Sequence, residues 1–249
     1  MASSRAEAQD AVRAGLVTVA GTRADKPTTM VATDAPVGVV ATPKRFASRG
    51  GEKLFAALEG FGVDPSGRSC LDVGASTGGF TDCLLKAGAA AVAAVDVGYG
   101  QLDWSLRTDP RVTVIERTNA RDLSAERLPF APDLVVADLS FISLRVVMPA
   151  LKRIGTPDAE FVVLIKPQFE ADSAEVGEGG VVRDPRVWRR VVSEVATVFE
   201  ELGVVPLDLM ASPLRGPAGN VEFLMHARGE SQTVPLDIDR AMAEGEALT

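Results

Sequence analysis

Cysteine, histidine and tyrosine are scarce: the 249 residues hold two Cys, one His and one Tyr. Two thiols cannot build a disulfide framework, and Cys70 and Cys83 both fall in apolar segments, so inert core thiols in a reducing compartment are expected. The lone His226, late in a strand-like run, reads as structural, and no residue pattern calls for a metal. Long apolar runs are also missing. FVVLI and LVVA are core-strand length, well short of the roughly 18 residues that span a bilayer. The N-terminal Met-Ala-Ser-Ser-Arg-Ala-Glu lacks the apolar region of a secretory signal. A cytoplasmic, monomeric protein without a membrane partner is the expectation. Basic charge is in short supply too, 26 Lys/Arg against 34 Asp/Glu for a net −8. That excludes binding nucleic acid through bulk charge but not through a local patch. Residues 1–53 carry eight Lys/Arg and five Asp/Glu, so any polyanion should be met near that end.

What is present is apolar material for a core, 46% of the chain, in a telling order. SCLDVG (69–74), AVAAVD (91–96), VTVI (112–115), DLVVAD (133–138) and FVVLIK (161–166) are apolar on both faces, as parallel strands covered by helices must be. Helical patterns over 79–87, roughly 142–153 and 185–202 separate them. The last is punctuated by Asp184 as a cap, Pro185 in the first turn and a stripe of Val187, Val191, Val195, Val198 and Leu202. PLDLMA and VEFLMHA, joined by the loop SPLRGPAGN, read as a closing hairpin. The fold expected is α/β, with a doubly wound, mostly parallel sheet. A helix over 52–61 precedes it. Residues 1–43 read as a small separate segment, a helix from Glu7 to Ala14 followed by short strands around Gly15, Gly21 and Pro36. Residues 44–51 are expected to link the two, 52–228 to form the main domain, and 229–249 to be a disordered acidic tail.

Asp72-Val73-Gly74-Ala75-Ser76-Thr77-Gly78-Gly79-Phe80 stands where the first large strand turns into a helix. Glycine there lets backbone approach a ligand, and the helix start offers unpaired N–H groups. The spacing is not the dinucleotide fingerprint G-x-G-x-x-G. The next strand ends in Asp96, placed to accept both hydroxyls of a ribose. Asn119-Ala120 follows the third strand, where it could bracket an adenine edge. Nothing is arranged to cradle a pyrophosphate, and Asp72 and Asp82 make the loop acidic. S-adenosylmethionine, with its cationic sulfonium, fits best.

Four charged residues should meet at the carboxyl edge of this sheet. Asp138 and Lys166 each end a strand, where open α/β folds bind ligands. Glu222 begins the last strand and reaches the same edge if that strand runs antiparallel. Lys53 sits in the first turn of its helix, where a cation opposes the helix dipole and needs another reason to be there. Two acids and two bases summing to zero can share a partly buried site.

SRGGEKL, CLDVGASTGGF, DVGYGQLDW, ERTNAR, DLSFISL, KPQFE, GGVVRDP and GNVEF together resemble the TlyA-type (hemolysin-A-like) ribosomal RNA methyltransferases, relatives of the FtsJ heat-shock 2′-O-methyltransferase. The likeness runs over roughly residues 3–227. It implies a class I S-adenosylmethionine-dependent methyltransferase fold with a seven-stranded sheet and an antiparallel last strand. It also implies methylation of a ribose 2′-hydroxyl, with cytidines of small- and large-subunit rRNA as targets. The family's Lys-Asp-Lys-Glu tetrad falls on Lys53, Asp138, Lys166 and Glu222, and its cofactor loop on Gly74–Phe80. Beside two carboxylates, each worth about 4 kcal/mol at 4 Å and an effective dielectric near 20, Lys166 is expected to stay an ammonium. It would then position the 2′-oxygen rather than act as the base.

The same resemblance makes residues 1–43 part of a small ribosomal-protein-like RNA-binding domain, with its first helix expected to be missing and its RNA binding weakened. Lys44, Arg45, Arg49 and Lys53, and then Arg183, Arg186, Arg189 and Arg190, offer phosphate contacts to ribosomal RNA or subunits. Phe169 could stack on a flipped base or simply pack. Cytosine-C5 chemistry would need a Cys at the sheet edge, where neither Cys70 nor Cys83 lies. An exocyclic-amine enzyme would show Asn-Pro-Pro-aromatic where Asp138-Leu139-Ser140-Phe141 stands. The alternatives kept are a non-catalytic RNA-binding or ribosome-assembly factor and a small-molecule methyltransferase. Membrane lysis finds no basic amphipathic helix.

Overall fold

The computed structural model describes residues 5–39, 45–232 and 235–249. Two compact units divide between Lys44 and Arg45. The first holds helix α1 (Arg5–Arg13) and a three-stranded antiparallel sheet, β1 (Val17–Val19), β2 (Thr22–Arg23) and β3 (Val37–Val39), in the order β2-β1-β3. The β1–β2 loop is the pair Ala20-Gly21, both at positive φ (50° and 81°). Only such a mirror-image turn matches the twist of a two-residue hairpin, and Gly21 adopts it without strain.

The second unit starts with α2 (Gly50–Phe61), then β4 (Ser69–Val73), α3 (Gly79–Lys86), β5 (Ala91–Val95), α4 (Trp104–Arg107), β6 (Val112–Ile115) and β7 (Leu134–Ala137). It continues through α5 (Leu144–Ile154), β8 (Glu160–Ile165), α6 (Pro167–Glu170), α7 (Pro185–Glu201), β9 (Val204–Ala211), β10 (Phe223–Gly229) and α8 (Ile238–Glu246). The seven strands lie in the order β6-β5-β4-β7-β8-β10-β9. β4 to β8 run parallel, and β10 is antiparallel to both β8 and β9. This is the expected doubly wound sheet with a closing hairpin. The strand order turns back at β4 and β7, so the crevice outside their carboxyl ends is the place for a ligand.

Alternation splits the strands between two cores. Leu71, Val73, Val135, Ala137, Phe161, Val163 and Ile165 pack under α5 and α7. Cys70, Leu134, Val136, Val162 and Leu164 face the opposite way, into a core shared with Leu54 and Leu58 of α2 and Leu84 of α3. Cys70 and Cys83 are free and buried, and burial pushes both thiols up to about 12, which leaves them inert. His226 stacks on Phe61 at 5.7 Å between ring centroids, and burial holds its pKa below the usual value.

Two expectations fail here. Residues 45–51 are no linker: Phe46 is buried in the α2–α3 core, and Ala47 N donates to Asp82 Oδ2 at 2.8 Å. Nor is 229–249 a disordered acidic tail. β10 extends to Gly229, and α8 buries Ala241 and Met242. Ile238, Ala241, Met242 and Gly245 form a short stripe at helical spacing, and net charge is a poor guide when a few apolar residues find a wall. Glu244 accepts from Ala211 N at 2.9 Å and Arg240 from α8 reaches Leu209 O at 2.6 Å, so the helix also covers edge strand β9.

Candidate active site

A cavity of about 270 Å³ opens at the carboxyl edge of the sheet. Gly74 to Thr77, Gly79 and Phe80 line it, together with Lys53, Asp138, Lys166 and Glu222. The four charged side chains therefore converge beside the glycine turn, although they come from α2, the end of β7, the end of β8 and the start of β10. The antiparallel register does the decisive work for the last of them. Phe223 pairs with Ile165, which sets Glu222 alongside Lys166.

The tetrad resolves into two ion pairs. Lys53 Nζ is hydrogen-bonded to Glu222 Oε2, with the Glu222 side chain 1% and that of Lys53 8% exposed. Lys166 Nζ sits 2.6 Å from Asp138 Oδ1 in a charge contact off hydrogen-bond alignment, and donates to Ser140 Oγ at 3.1 Å. Gln168 Nε2 approaches the other Glu222 oxygen at 3.5 Å.

The glycines let the loop close tightly on its neighbours. Gly74 and Gly78 adopt φ of 87° and 95°, and a Cβ on Gly74 would stand 2.4 Å from the Asp138 carbonyl oxygen. Gly74 N donates to Val95 O at 2.8 Å, so the turn is tied to the tip of β5. There Asp96 takes Ser76 N at 2.8 Å and Gly98 N at 2.6 Å, one on each carboxylate oxygen. Each oxygen keeps a lone pair for a further donor, such as a ribose hydroxyl. Asp96 lines a second, small hollow with Ala75, Ser76, Gly98 and Gln101. The donor set, paired backbone approach and acidic strand tip fit a nucleoside carrying a cationic group.

Other expected site residues stand elsewhere. Asp72 is fully buried beneath the turn, accepts from Thr81 Oγ1 at 2.6 Å and lines neither hollow, so it fastens β4 to α3. Asn119 and Ala120 line neither hollow: Asn119 Oδ1 accepts from Arg121 N, and Ala120 is buried. Gly78 presents its bare face to Leu102 and Leu106. Of the basic residues, Arg49 lines the cavity, Arg45 lies 3.5 Å from the Phe55 ring centroid, and Lys44 falls outside the described residues. The arginines on the face of α7 each have a carboxylate neighbour. Arg186 pairs with Asp184, Arg189 with Asp239, and Arg190 with Glu175 and Glu194. Arg183 makes no ion pair among the described residues.

The sequence reading missed Ser48, Leu214, Arg215 and Pro217, which also line the cavity. The last three lie in SPLRGPAGN, and the one signal available was that this loop runs straight into Glu222. Phe141 was missed as well. It is 90% exposed at a φ of 64°, its ring 5.1 Å from that of Phe169. A non-glycine residue held there is strained, and such strain gathers at working sites. Beneath this pair, buried Glu170 accepts from Ser143 Oγ at 2.6 Å and Leu144 N at 2.7 Å. It thereby ties the segment after Lys166 to the one after Asp138.

Burial raises the Asp72 carboxyl from 3.8 to about 7, with the Asp138 and Asp96 charges adding to it and Thr81 opposing it. The stability linked to this group is present below about pH 4 and is lost as pH rises through about 7, where folding must bury the charge. Asp72→Asn is therefore expected to flatten the stability profile, removing a fall of about 3 kcal/mol between pH 5 and 8. Urea midpoints of parent and variant at both pH values check this; parallel profiles would refute it.

Comparison with known proteins places these features in context. Residues 46–229 match the model of the FtsJ-like methyltransferases, and residues 1–37 that of the S4 domain. A Mycobacterium tuberculosis protein, the 16S/23S rRNA (cytidine-2′-O)-methyltransferase TlyA, is 52% identical over 232 residues, 93% of this chain and 87% of its own. A solved Streptococcus thermophilus structure carrying a hemolysin's name aligns with a TM-score of 0.83 at 37% identity, over 98% of this chain and 91% of that one. A Mesorhizobium loti S-adenosylmethionine-dependent methyltransferase aligns at 0.54 and 16% identity, over 71% and 97%, a likeness of fold alone.

Proposed function

The chain belongs to the FtsJ-like methyltransferase family, and on that premise we propose that it methylates the ribose 2′-hydroxyl of cytidine in ribosomal RNA, using S-adenosylmethionine. The observation that carries this reading is the convergence of Lys53, Asp138, Lys166 and Glu222 on one cavity with the glycine turn. Its relative named above acts on both 16S and 23S rRNA by name, so both subunits are candidate substrates here. The S4-like segment at residues 1–37 supports an RNA partner, and cytoplasmic ribosomes supply it.

Gly74 to Phe80 and Asp96 would hold the cofactor, which supplies a methyl group already activated on a sulfonium. The protein's task is then alignment and the handling of one proton. Lys166 donates to the 2′-oxygen, fixing its approach and stabilising the charge it develops, with Asp138 and Ser140 steering the ammonium. Lys53 and Glu222 form the opposite wall. The hydroxyl proton leaves late, to solvent, so no neutral lysine is required. The exposed Phe141–Phe169 pair offers an aromatic face for the displaced base.

The test uses purified protein, methyl-tritiated S-adenosylmethionine and separated ribosomal subunits. Label is expected in rRNA, at a cytidine whose 3′ phosphodiester has become resistant to alkali because the 2′-oxygen is blocked. Labelled but alkali-sensitive RNA would mean base methylation, and unlabelled RNA from both subunits would leave a non-catalytic or small-molecule role.

A further inference from the structure

The charges around the cavity do not cancel. Lys53 is paired with Glu222 and Lys166 with Asp138, which leaves Arg49 and Arg215 as an excess of two positive charges on the lining. Arginines elsewhere in this acidic unit are commonly neutralised: Arg68, Arg107, Arg145, Arg190 and Arg240 all hold carboxylates. Arg215 has no carboxylate partner among the described residues. What sets Arg215 apart is its place: a guanidinium without a carboxylate on the lining of a cavity is poised for an anion from outside.

Its backbone is held firmly. Gly216 N donates to Asn220 O and Gly219 N to Gly216 O, both at 2.9 Å, closing the turn that presents Arg215. Ser212 Oγ donates to Leu214 O at 2.9 Å on the other side. Asn220 anchors the turn to a neighbouring loop, its Nδ2 donating to Gly180 O at 2.8 Å and its Oδ1 accepting from Val182 N at 2.9 Å. Gly216 presses on the tetrad itself, since a Cβ there would lie 2.5 Å from Glu222 Oε1. Arg215 is thus set one residue from a close contact with the reacting machinery, on a loop whose geometry is fixed before substrate arrives.

We propose that Arg215 is a substrate-positioning residue that binds a phosphate flanking the target ribose. This rests on the reading of the cavity as a ribose-methylating site. The planar fork takes two phosphate oxygens at once, which fixes the sugar's orientation as well as its place. A phosphate contact positions without selecting sequence, so Arg215 serves every site that the enzyme modifies.

Arg215→Met and Arg215→Lys are compared with Arg153→Met, a charge-matched change at an exposed residue in the last turn of α5, at the opposite edge of the sheet. Single-turnover methylation is followed against rRNA concentration at several salt concentrations, with cofactor affinity measured by calorimetry and folding by thermal melting. For Arg215→Met the half-saturating RNA concentration is expected to rise about tenfold or more. The rate at saturation should stay within about twofold, and the log–log salt slope should become shallower by about 0.7. Arg215→Lys falls between, and Arg153→Met matches the parent. Unchanged RNA saturation and salt slope in Arg215→Met overturns the proposal. So does weakened cofactor binding with RNA binding intact, which would assign Arg215 to the cofactor's carboxylate. Should Arg215→Met melt early, Arg215→Lys decides: parent-like saturation overturns the proposal and a raised half-saturation upholds it. A parent protein that methylates no rRNA sinks the underlying reading, whereas an active parent with an indifferent Arg215 sinks this inference alone.

Discussion

Lys166→Ala is expected to slow single-turnover methyl transfer by about 10²–10³-fold while leaving cofactor affinity within a few-fold of the parent. The argument is geometric. Lys166 follows β8, its ammonium is steered by Asp138 at 2.6 Å and by Ser140 at 3.1 Å, and its side chain is only 11% exposed. It therefore points into the cavity with little freedom, which is the preorganisation a developing charge needs. The glycine turn and Asp96 come from other strands and should be untouched by the change. Lys166→Arg keeps the charge but moves its donors, so a partial recovery separates charge from placement. A Lys166→Ala protein with a rate within tenfold of the parent would remove Lys166 from the chemistry.

Glu222→Ala should destabilise the protein by about 3 kcal/mol, because it leaves the mostly buried Lys53 ammonium without its partner. In a unit of this size that corresponds to a melting point lower by about 10 °C. Replacing both partners, Lys53→Met with Glu222→Leu, should recover most of the loss, since apolar groups of similar volume often serve as well as a buried pair. The double variant nevertheless should not methylate. Stability regained without activity is the signature of a pair retained for its chemistry. Equal melting points for the parent and Glu222→Ala, measured by calorimetry, would show that Lys53 finds another partner or water.

Much of this was legible in the residues alone. Apolar runs of four to six residues, separated by amphipathic stretches, read as strands covered on both faces, so the doubly wound sheet and the carboxyl-edge position of Asp138 and Lys166 followed from pattern. Glu222 needed one conditional step, an antiparallel last strand, which the Pro/Gly-rich hairpin loop favoured. Lys53 stood out because it opposed its helix dipole. The failures share one cause. Asp72, a ligand contact by its place in the glycine loop, instead accepts from Thr81, nine residues on. Arg189 pairs with Asp239 across 50 residues, a neighbour its own stretch of sequence does not show. Net charge marks residues 229–249 as a tail, yet Ala241 and Met242 are buried in α8.

The strands themselves, the glycine turn and the strand-end positions of Asp138 and Lys166 were thus set by local chemistry: side-chain period, backbone freedom and strand ends act over a few residues and leave their mark in the chain. Which charges are spent on one another and which stay free was decided only in three dimensions, because an ion pair depends on what the fold brings within a few ångströms. That is why Arg186, Arg189 and Arg190 have carboxylate neighbours that the sequence did not show, and why Arg215, unremarkable as a letter in a loop, lines the cavity with no carboxylate partner among the described residues.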